Sequence, residues 1–402
     1  MSPRRPTLVR MGWEGSGRRR HRRRARRPVP AAAIALCALL TCAVLASCSG
    51  SDGVSRPTSP SSASTTARAA DRAPVGPPST VEPPTGATIT QPAQRTSGFG
   101  SSDLGHAGVR ESSGGTGADA WYAFEPTDPR PRSAPVVVVL HGYYEYAGHA
   151  SMDELIRHTV LGGSIVVYPR WQTGVAQPCP GPFDVDPCLR SAVAGVDGAL
   201  ASLRADPDRV QPDLDHVSWF GFSFGGIVTI DLANRWRELG LPEPRAIFLD
   251  DPHDGGLDGK DEPAVDRPLT GVPAGVRLVC HVGAEGVTAE AGSADGSCNS
   301  IFPLLTTVPA SHKTLVLTRP DAHGSPPLSS RHGVCSVRSG HADAYDWNFC
   351  WKVWDALRAA ATAGTTLVDE LGGLGALRSN GDWSDGTPIA PLVVADEAPI
   401  RP

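Results

Sequence analysis

The stretch of sequence that decides the fold of this chain is HVSWFGFSFG, residues 216–225. Apolar, β-branched and aromatic residues dominate its first half, which predicts a buried β-strand over residues 216–221. The apolar run that begins at Gly225 and continues to about residue 239 predicts a helix directly after the strand. Gly221 and Gly225 flank Ser223, and glycine lets the chain turn tightly enough for the serine side chain to project from the strand end.

Ser223 therefore lies in the pattern G-x-S-x-G at a predicted strand-to-helix junction. This pattern in this context is the nucleophile elbow of hydrolytic enzymes. The positive end of the following helix favours the negative charge that develops beside such a serine during acyl transfer. We interpret Ser223 as a catalytic nucleophile.

The folded part of the chain, which we place at residues 98–402, alternates strand patterns with helix patterns. Residues 136–140, VVVVL, are apolar throughout, as in a parallel strand that is covered on both faces. The alternation predicts an α/β fold with a mostly parallel central sheet and helices on both faces. The predicted strands cover residues 118–124, 136–140, 164–168, 216–221, 246–249, 276–282 and 314–317, and the predicted helices cover 151–158, 189–204, 225–239 and 345–361.

His141 and Gly142 directly follow the predicted strand at 136–140. In hydrolases with a nucleophile elbow, the turn after this strand supplies one donor to the oxyanion of the intermediate. We therefore predict an oxyanion hole made by the backbone N–H groups of Tyr143 and Phe224. The side chain of His141 is interpreted as a structural turn residue.

A serine nucleophile needs a general base, and His323 is our candidate. It follows the predicted strand at 314–317 after a short loop and precedes a Pro-rich turn. Three other histidines are interpreted as structural: His281, His332 and His341.

The acid that orients the base is expected between the serine and the histidine in chain order. Glu285 follows the predicted strand at 276–282, and we favour it for this role. The alternative is Asp251, which together with Asp250 follows the preceding predicted strand. Asp321 is too close to His323 in sequence to orient its ring and is expected to cap the turn.

Residues 1–47 have the layout of a secretory signal peptide. An Arg-rich stretch at 18–27 precedes an uncharged apolar run at 29–46. The residues around the end of this run, LASC at 45–48, resemble a bacterial lipobox, which predicts cleavage before Cys48 and lipidation of its thiol. Because the apolar run is about as long as a membrane span, an uncleaved anchor helix is the alternative.

Residues 48–97 are rich in Ser, Thr, Pro and Ala and have no apolar period. This composition predicts a disordered linker between the lipidated Cys48 and the folded domain. We expect the protein to be exported and lipid-anchored to the outer face of the cell membrane, with the membrane as a partner through its N-terminal lipid.

Charge is distributed unevenly along the 402 residues. Eleven of the 37 Lys and Arg residues, but only one of the 42 Asp and Glu residues, precede residue 31. The rest of the chain then carries 26 basic and 41 acidic side chains, a net charge of −15. A chain this acidic repels phosphate backbones, so we do not expect nucleic acid as a partner.

Six cysteines lie in the folded part, after Cys37 and Cys42 of the predicted signal peptide and the predicted lipidation site. An even number in an exported chain predicts disulfide bonds. Zinc binding is the alternative, but no C-x-x-C pair supports it. Among the fifteen possible connectivities, grouping along the sequence favours Cys179 with Cys188, Cys280 with Cys298, and Cys335 with Cys350.

Several motifs together resemble the α/β-hydrolase superfamily, in particular its secreted and lipoprotein members from actinobacteria. They are the nucleophile elbow, the His141-Gly142 turn, HGSP at 323–326, the segment 346–356 that begins with DW, and WSDG at 383–386. The resemblance covers most of residues 116–395. It implies a Ser-acid-His hydrolase that cleaves carboxylic esters without a metal or organic cofactor, but it implies no particular substrate. We expect the substrate to be a small-molecule or lipid-like ester. A glutamate at the acid position departs from the commoner aspartate.

Two alternatives to an esterase remain open on the sequence. A peptidase or amidase of the same fold would use the same triad. A surface lipoprotein could instead keep the fold as a non-catalytic binding module, since fold alone does not fix function. The presence of all three triad residue types at the expected places argues against the binding module.

Overall fold

A computed structural model describes residues 88–175, 185–253, 265–286, 297–336 and 341–401. The predicted signal peptide, Cys48 and Cys179 lie outside the described residues. Within these ranges the chain forms one nine-stranded sheet with helices packed against it. None of the helices in the described ranges has both the length and the apolar character needed to cross a membrane.

The sheet is built on a parallel core. Its strand order is β1-β2-β4-β3-β5-β6-β7-β8-β9. Strands β3 to β8 run parallel to one another, and β2 and β9 are antiparallel to their neighbours. The strands are β1 Gly108–Gly114, β2 Trp121–Thr127, β3 Ser133–Leu140, β4 Ile165–Pro169, β5 Gln211–Phe222, β6 Pro244–Asp250, β7 Arg277–Gly283, β8 Lys313–Thr318 and β9 Val393–Ala395.

Helices cover both faces of this sheet. Along β3, Val136 and Val138 pack into the core beneath the helices at 186–205 and 224–234, while Val137 and Val139 pack into the core beneath the helices at 153–161 and 352–363. Alternate side chains of a strand point to opposite faces, so a strand covered on both sides must be apolar throughout. The helices are α1 Asp153–Leu161, α2 Asp186–Ala205, α3 Phe224–Asn234, α4 Cys298–Ile301, α5 Lys352–Ala363, α6 Leu367–Glu370 and α7 Leu374–Arg378.

The strand order, the parallel core and the two helical layers confirm the predicted α/β-hydrolase fold. Every predicted strand is present, with ends that differ by a few residues. The polar edge strand β1 and the three-residue strand β9 were not predicted, because neither has a run of apolar residues long enough to mark it. The predicted helix at 345–361 starts as a π-helical turn, Asp346–Trp351, and continues as α5.

The folded body starts earlier than the predicted boundary at residue 98. Ser325 donates its backbone N–H to the carbonyl of Ile89 at 2.8 Å, and Ser384 donates to the carbonyl of Thr90 at 3.0 Å. Gln91 accepts from the backbone N–H of Ala344 at 3.0 Å. Residues 89–91 thus hydrogen-bond to the folded domain, a placement that their linker-like composition did not predict.

Two of the three predicted disulfides are confirmed. Cys280 is bonded to Cys298, which ties β7 to α4. Cys335 is bonded to Cys350, which ties the loop after β8 to the π-helical turn before α5. The third predicted pair includes Cys179, outside the described residues, so that pairing stays a prediction.

Candidate active site

Ser223 lies on a strained turn between β5 and α3. Its backbone has φ of +55° and ψ of −127°, a conformation that costs a non-glycine residue free energy. Three backbone hydrogen bonds hold it there: Ser223 N–H donates to the carbonyl of Asp250 at 3.0 Å, and the N–H groups of Gly226 and His253 donate to the Ser223 carbonyl at 2.8 and 3.0 Å. The serine is therefore fixed at the carboxyl end of the sheet, as the elbow pattern predicts.

The two glycines of the elbow are required by close packing. A Cβ atom at Gly225 would collide with the carbonyl oxygens of Leu140 and His141 at the end of β3. A Cβ atom at Gly221 would collide with the side chain of Thr229 on α3. The pattern G-x-S-x-G thus lets α3 approach the sheet closely enough to hold the turn.

A hydrogen-bonded chain runs from Ser223 through His332 to Asp251. The Ser223 hydroxyl and His332 Nε2 are 2.8 Å apart, and His332 Nδ1 and Asp251 Oδ2 are 2.9 Å apart. The Asp251 side chain is fully buried and that of His332 is 17% exposed. A carboxylate accepts a hydrogen bond from the Nδ1–H group, so in the neutral ring Nε2 carries no proton and can accept a hydrogen bond from the serine hydroxyl. This is the geometry of a Ser-His-Asp triad.

The structure does not pair His323 with Ser223. His323 Nε2 lies 2.8 Å from Asp385 Oδ2, and both side chains are more than a third exposed. The reason is the path of the chain after β8. Asp321 and Leu328 exchange two backbone hydrogen bonds of 2.8 Å, which close a turn that contains His323. The chain then returns to the sheet at Ser330, two residues before His332.

Glu285 also has a different partner from the predicted one. Its carboxylate accepts the backbone N–H of Ser330 at 2.8 Å, and its own N–H donates to the Ser330 carbonyl at 2.8 Å. Asp251, the alternative acid of the sequence analysis, contacts the histidine instead. Asp251 follows β6, which adjoins β5 in the sheet, whereas Glu285 follows β7, one strand farther from Ser223. The chain order Ser, acid, His is retained.

Sequence reasoning had little means of choosing His332 over His323. Both histidines follow β8 and both precede a glycine. Only the structure shows that Gly333 has φ of +85° and that a Cβ atom there would lie 2.8 Å from the ring of Phe222. Gly333 thus packs against the residue before Ser223, which brings His332 to the elbow, but this packing is not visible in the sequence.

The turn after β3 lies next to the elbow. The Tyr143 ring packs edge-on against the Phe224 ring with centroids 5.5 Å apart, and Glu145 N–H donates to the Gly142 carbonyl at 3.2 Å. Phe224 is the first residue of α3, and the first N–H groups of a helix have no acceptor within it. The two predicted oxyanion donors therefore belong to adjacent segments beside Ser223.

His141 is a buried structural residue, as interpreted from the sequence. Its ring stacks between Tyr168 and Trp171, with centroids 5.4 and 4.6 Å away. Nδ1 lies 2.7 Å from the Gly142 carbonyl oxygen. Burial away from water lowers the pKa of His141, against the raising effect of its hydrogen bonds to the Gly142 and Arg170 carbonyls. The ring thus braces the turn that carries Tyr143.

A second histidine, His253, lies beside the triad. Its ring centroid is 6.1 Å from that of His332, and its backbone N–H donates to the Ser223 carbonyl. Burial, and then the charge of His332, lower the pKa of His253, while Asp251 raises it.

Among the residues that the structure describes, one group of potential metal ligands lies near Ser223, His332 and Asp251. Asp250, His281 and Cys335 bring ligand atoms within 4.8 Å of one another. The sulfur of Cys335 is bonded to Cys350, however, and so cannot ligate a metal while the disulfide is intact. Asp250 and His281 are paired with each other instead, at 2.7 Å.

Comparisons with known proteins add partial structural likenesses. No protein-family model matches the sequence, and no characterised protein sequence matches it. Among solved structures, a thermostable esterase from Pseudomonas putida shares 20% identity over 36% of this chain and 43% of its own, with a TM-score of 0.29. A fungal esterase from Rhizomucor miehei shares 14% identity over 57% of this chain and 76% of its own, with a TM-score of 0.38. This chain is thus similar to less than half the length of the Pseudomonas esterase, and its own strand order and site geometry carry the assignment of the fold.

Proposed function

We propose that this protein is a serine hydrolase that cleaves carboxylic esters through an acyl-enzyme at Ser223. The observation that carries the proposal is the hydrogen-bonded chain from Ser223 to His332 to Asp251, at 2.8 and 2.9 Å, on a nucleophile elbow. A surface serine in a binding module has no need of a strained backbone, a histidine at hydrogen-bond distance and a buried aspartate behind it.

The proposed reaction has two steps. Ser223 Oγ attacks the ester carbonyl while His332 Nε2 takes the hydroxyl proton, and the tetrahedral intermediate collapses when that proton passes to the leaving alcohol. Water then attacks the acyl-enzyme, with His332 again as base, and releases the acid and free Ser223. Asp251 orients the His332 ring and stabilises the imidazolium that forms in each step.

The oxyanion in both steps is assigned to the backbone N–H groups of Tyr143 and Phe224. Phe224 is at the N-terminus of α3, where the helix dipole adds a favourable field. The support for this assignment is the contact between the two segments beside Ser223. A donor of this kind typically contributes about 3 kcal/mol to the stabilisation of the transition state.

The first test is covalent labelling. A fluorophosphonate probe is expected to label the wild-type protein, and Ser223→Ala should abolish labelling and lower turnover of a nitrophenyl ester by about 10⁴-fold or more. A matched control is Ser218→Ala, a buried serine on the same strand, which should leave labelling intact. Failure of folded wild-type protein to react would favour the binding module. Faster cleavage of amides than of matched esters would favour the peptidase or amidase.

A second test separates the two acids. Asp251→Asn should lower kcat by about 10⁴-fold, because an amide favours the wrong tautomer of His332. Glu285→Gln should lower kcat far less, since the amide oxygen can still accept the Ser330 N–H. Kinetics on both variants with one nitrophenyl ester decide the matter: a larger loss in Glu285→Gln would contradict the assignment of Asp251.

We also propose that the protein is exported and lipid-anchored at Cys48. The support is the signal-like sequence before Cys48 and the disulfides of the folded domain, which suit an oxidising compartment. Cys48→Ala should release the protein from the membrane fraction or block its processing. Mass spectrometry that finds an unmodified Cys48 or an intact residue Met1 in the wild-type protein would contradict the proposal.

A further inference from the structure

Behind the triad lies a second aspartate–histidine pair that the proposed mechanism does not use. His281 Nδ1 is 2.7 Å from Asp250 Oδ1, and both side chains are completely buried. The other ring nitrogen, Nε2, is 2.9 Å from the hydroxyl of Thr318. The Thr318 hydroxyl is in turn 2.6 Å from the hydroxyl of Ser330. Four buried side chains thus form one hydrogen-bonded chain.

This chain of hydrogen-bonded side chains crosses the carboxyl ends of three neighbouring strands. Asp250 ends β6, His281 lies in β7 and Thr318 ends β8. Ser330 lies in the loop that leads to His332. The chain therefore joins the three strand ends to the loop that carries the proposed base.

The same residues hold the triad through their backbone atoms. The Asp250 carbonyl accepts the Ser223 N–H at 3.0 Å, and the His281 carbonyl accepts the Asp251 N–H at 2.9 Å. Each of the first two members of the buried chain thus holds one member of the triad.

Ser330 fixes the loop two residues before His332. Its hydroxyl donates to the Thr318 carbonyl at 2.7 Å and accepts the Ala284 N–H at 2.9 Å. Its backbone N–H donates to the Glu285 carboxylate at 2.8 Å. Since every hydrogen-bonding group of Ser330 has a partner, the position of the loop relative to the sheet is fixed at this residue.

Burial of four polar side chains costs desolvation free energy that their mutual hydrogen bonds must offset, whereas apolar side chains could fill the same space without that cost. A hydrogen-bonded network resists displacement in direction as well as in distance, which apolar packing does not. A proton transfer at 2.8 Å depends on such precision, since misplacement by about 1 Å can cost about 100-fold in rate.

We propose that Asp250, His281, Thr318 and Ser330 form a positioning network that sets the separation of Ser223, His332 and Asp251. None of the four touches the reacting atoms. Thr318 joins the Asp250–His281 pair to the loop that carries His332. Its hydroxyl therefore couples the position of Asp251 to that of His332. This inference rests on the proposed function.

Thr318→Val tests the link, because valine keeps the shape of threonine and removes only the hydroxyl. We expect kcat for a nitrophenyl ester to fall about tenfold with little change in KM. We also expect a shift in the pH at which activity is half-maximal on the acidic limb of the pH profile. Thr318→Ser restores a hydroxyl and should recover most of the loss. Thr159→Val is the matched control, because Thr159 is equally buried and bonds Trp354 Nε1 at 3.1 Å between α1 and α5. It should lower the unfolding temperature without lowering kcat.

Ser330→Ala provides a second variant if Thr318→Val does not fold, with the same expected fall in kcat. The inference is overturned if a folded Thr318→Val or Ser330→Ala protein has the kcat and pH profile of the wild type, or if Thr159→Val lowers kcat as much. Ser223→Ala distinguishes failure of this inference from failure of the proposed function. If that variant is inactive while the network variants are normal, the inference alone fails; if it remains active, the proposed function fails.

Discussion

Strain in the backbone is concentrated at individual residues of the site. Among the described residues, four non-glycine residues have positive φ, and three of them lie at the carboxyl ends of the parallel strands: Ser223 at +55°, Asp251 at +47° and Trp171 at +38°. Each such conformation costs of the order of 1–3 kcal/mol and persists only where neighbours enforce it. A backbone hydrogen bond from Asp251 to His281 and another from Ser223 to Asp250 enforce these conformations. The fold thus holds both residues in a conformation that they would not adopt alone.

At the residue scale, His332→Ala should lower ester turnover by at least about 10⁴-fold, because the serine then has no base. His323→Ala should retain turnover close to wild type, since its ring bonds Asp385 on the surface. Steady-state kinetics on the two purified variants, with circular dichroism as the control for folding, check the prediction. Comparable losses in both variants would contradict the geometry of the site.

The sequence alone located the strand-to-helix turn at Ser223, because the elbow is a local pattern. Its requirements, two glycines around a serine between a strand and a helix, lie within ten residues. The base and the acid are not local in this sense. Which histidine meets Ser223 depends on the turn closed by Asp321 and Leu328, and which carboxylate meets that histidine depends on strand order.

Among the elements, the loop from β8 to α5 carries the proposed base and is fastened at both ends. Ser330 ties its beginning to β7 and β8, and the bond from Cys335 to Cys350 ties the part after His332 to the π-helical turn. The Phe222 ring packs against the ring of His332 between these two points, with centroids 5.2 Å apart. The loop is thus restrained on both sides of His332.

At the element scale, the double variant Cys335→Ser/Cys350→Ser should be less stable by about 3 kcal/mol, because the disulfide closes a loop of 15 residues. Turnover should also fall under conditions where the variant is still folded, since His332 is then fastened at one end only. Denaturant unfolding measures the first effect, and kinetics below the unfolding transition measure the second. A variant as stable and active as the wild type would contradict the prediction.

For the molecule as a whole, a cluster of charged side chains ties the N-terminal part of the described residues to helices α1 and α5. Asp355 on α5 lies 2.8 Å from His158 on α1 and accepts the backbone N–H of Gly100 at 3.0 Å. Arg358 donates to its other oxygen at 2.8 Å. Burial works to raise the pKa of Asp355, but His158, Arg358 and the Gly100 N–H outweigh it and hold that pKa below the usual value of 3.8.

A carboxyl group whose pKa is lowered by folding stabilises the protein above its unfolded pKa, and this contribution is lost as the pH falls through the folded value. Asp355→Asn should therefore lower the free energy of unfolding at pH 7 by about 3 kcal/mol, the cost of breaking a buried pair. The difference from wild type should shrink below about pH 4. Urea unfolding between pH 7 and pH 3 measures both effects.

Asp385→Asn is the control for this experiment. The hydrogen bond from His323 lowers the pKa of Asp385 to about 2, but the pair lies on the surface, where ion pairs contribute little to stability. We expect this variant to unfold like the wild type at every pH. An equal loss of stability in both variants, or a loss in Asp355→Asn that persists unchanged at pH 3, would contradict the prediction.

The sequence by itself determined the α/β architecture, the strand-to-helix turn at Ser223 and two disulfide pairs. Each of these depends on patterns that are short in sequence: the apolar strands, the elbow around Ser223, and cysteines 15 and 18 residues apart. The tertiary structure alone decided that His332 and Asp251 approach Ser223, and that His281 lies behind them. These contacts join residues 31 to 109 positions apart, and their partners are selected by strand order and loop path, which no local pattern encodes.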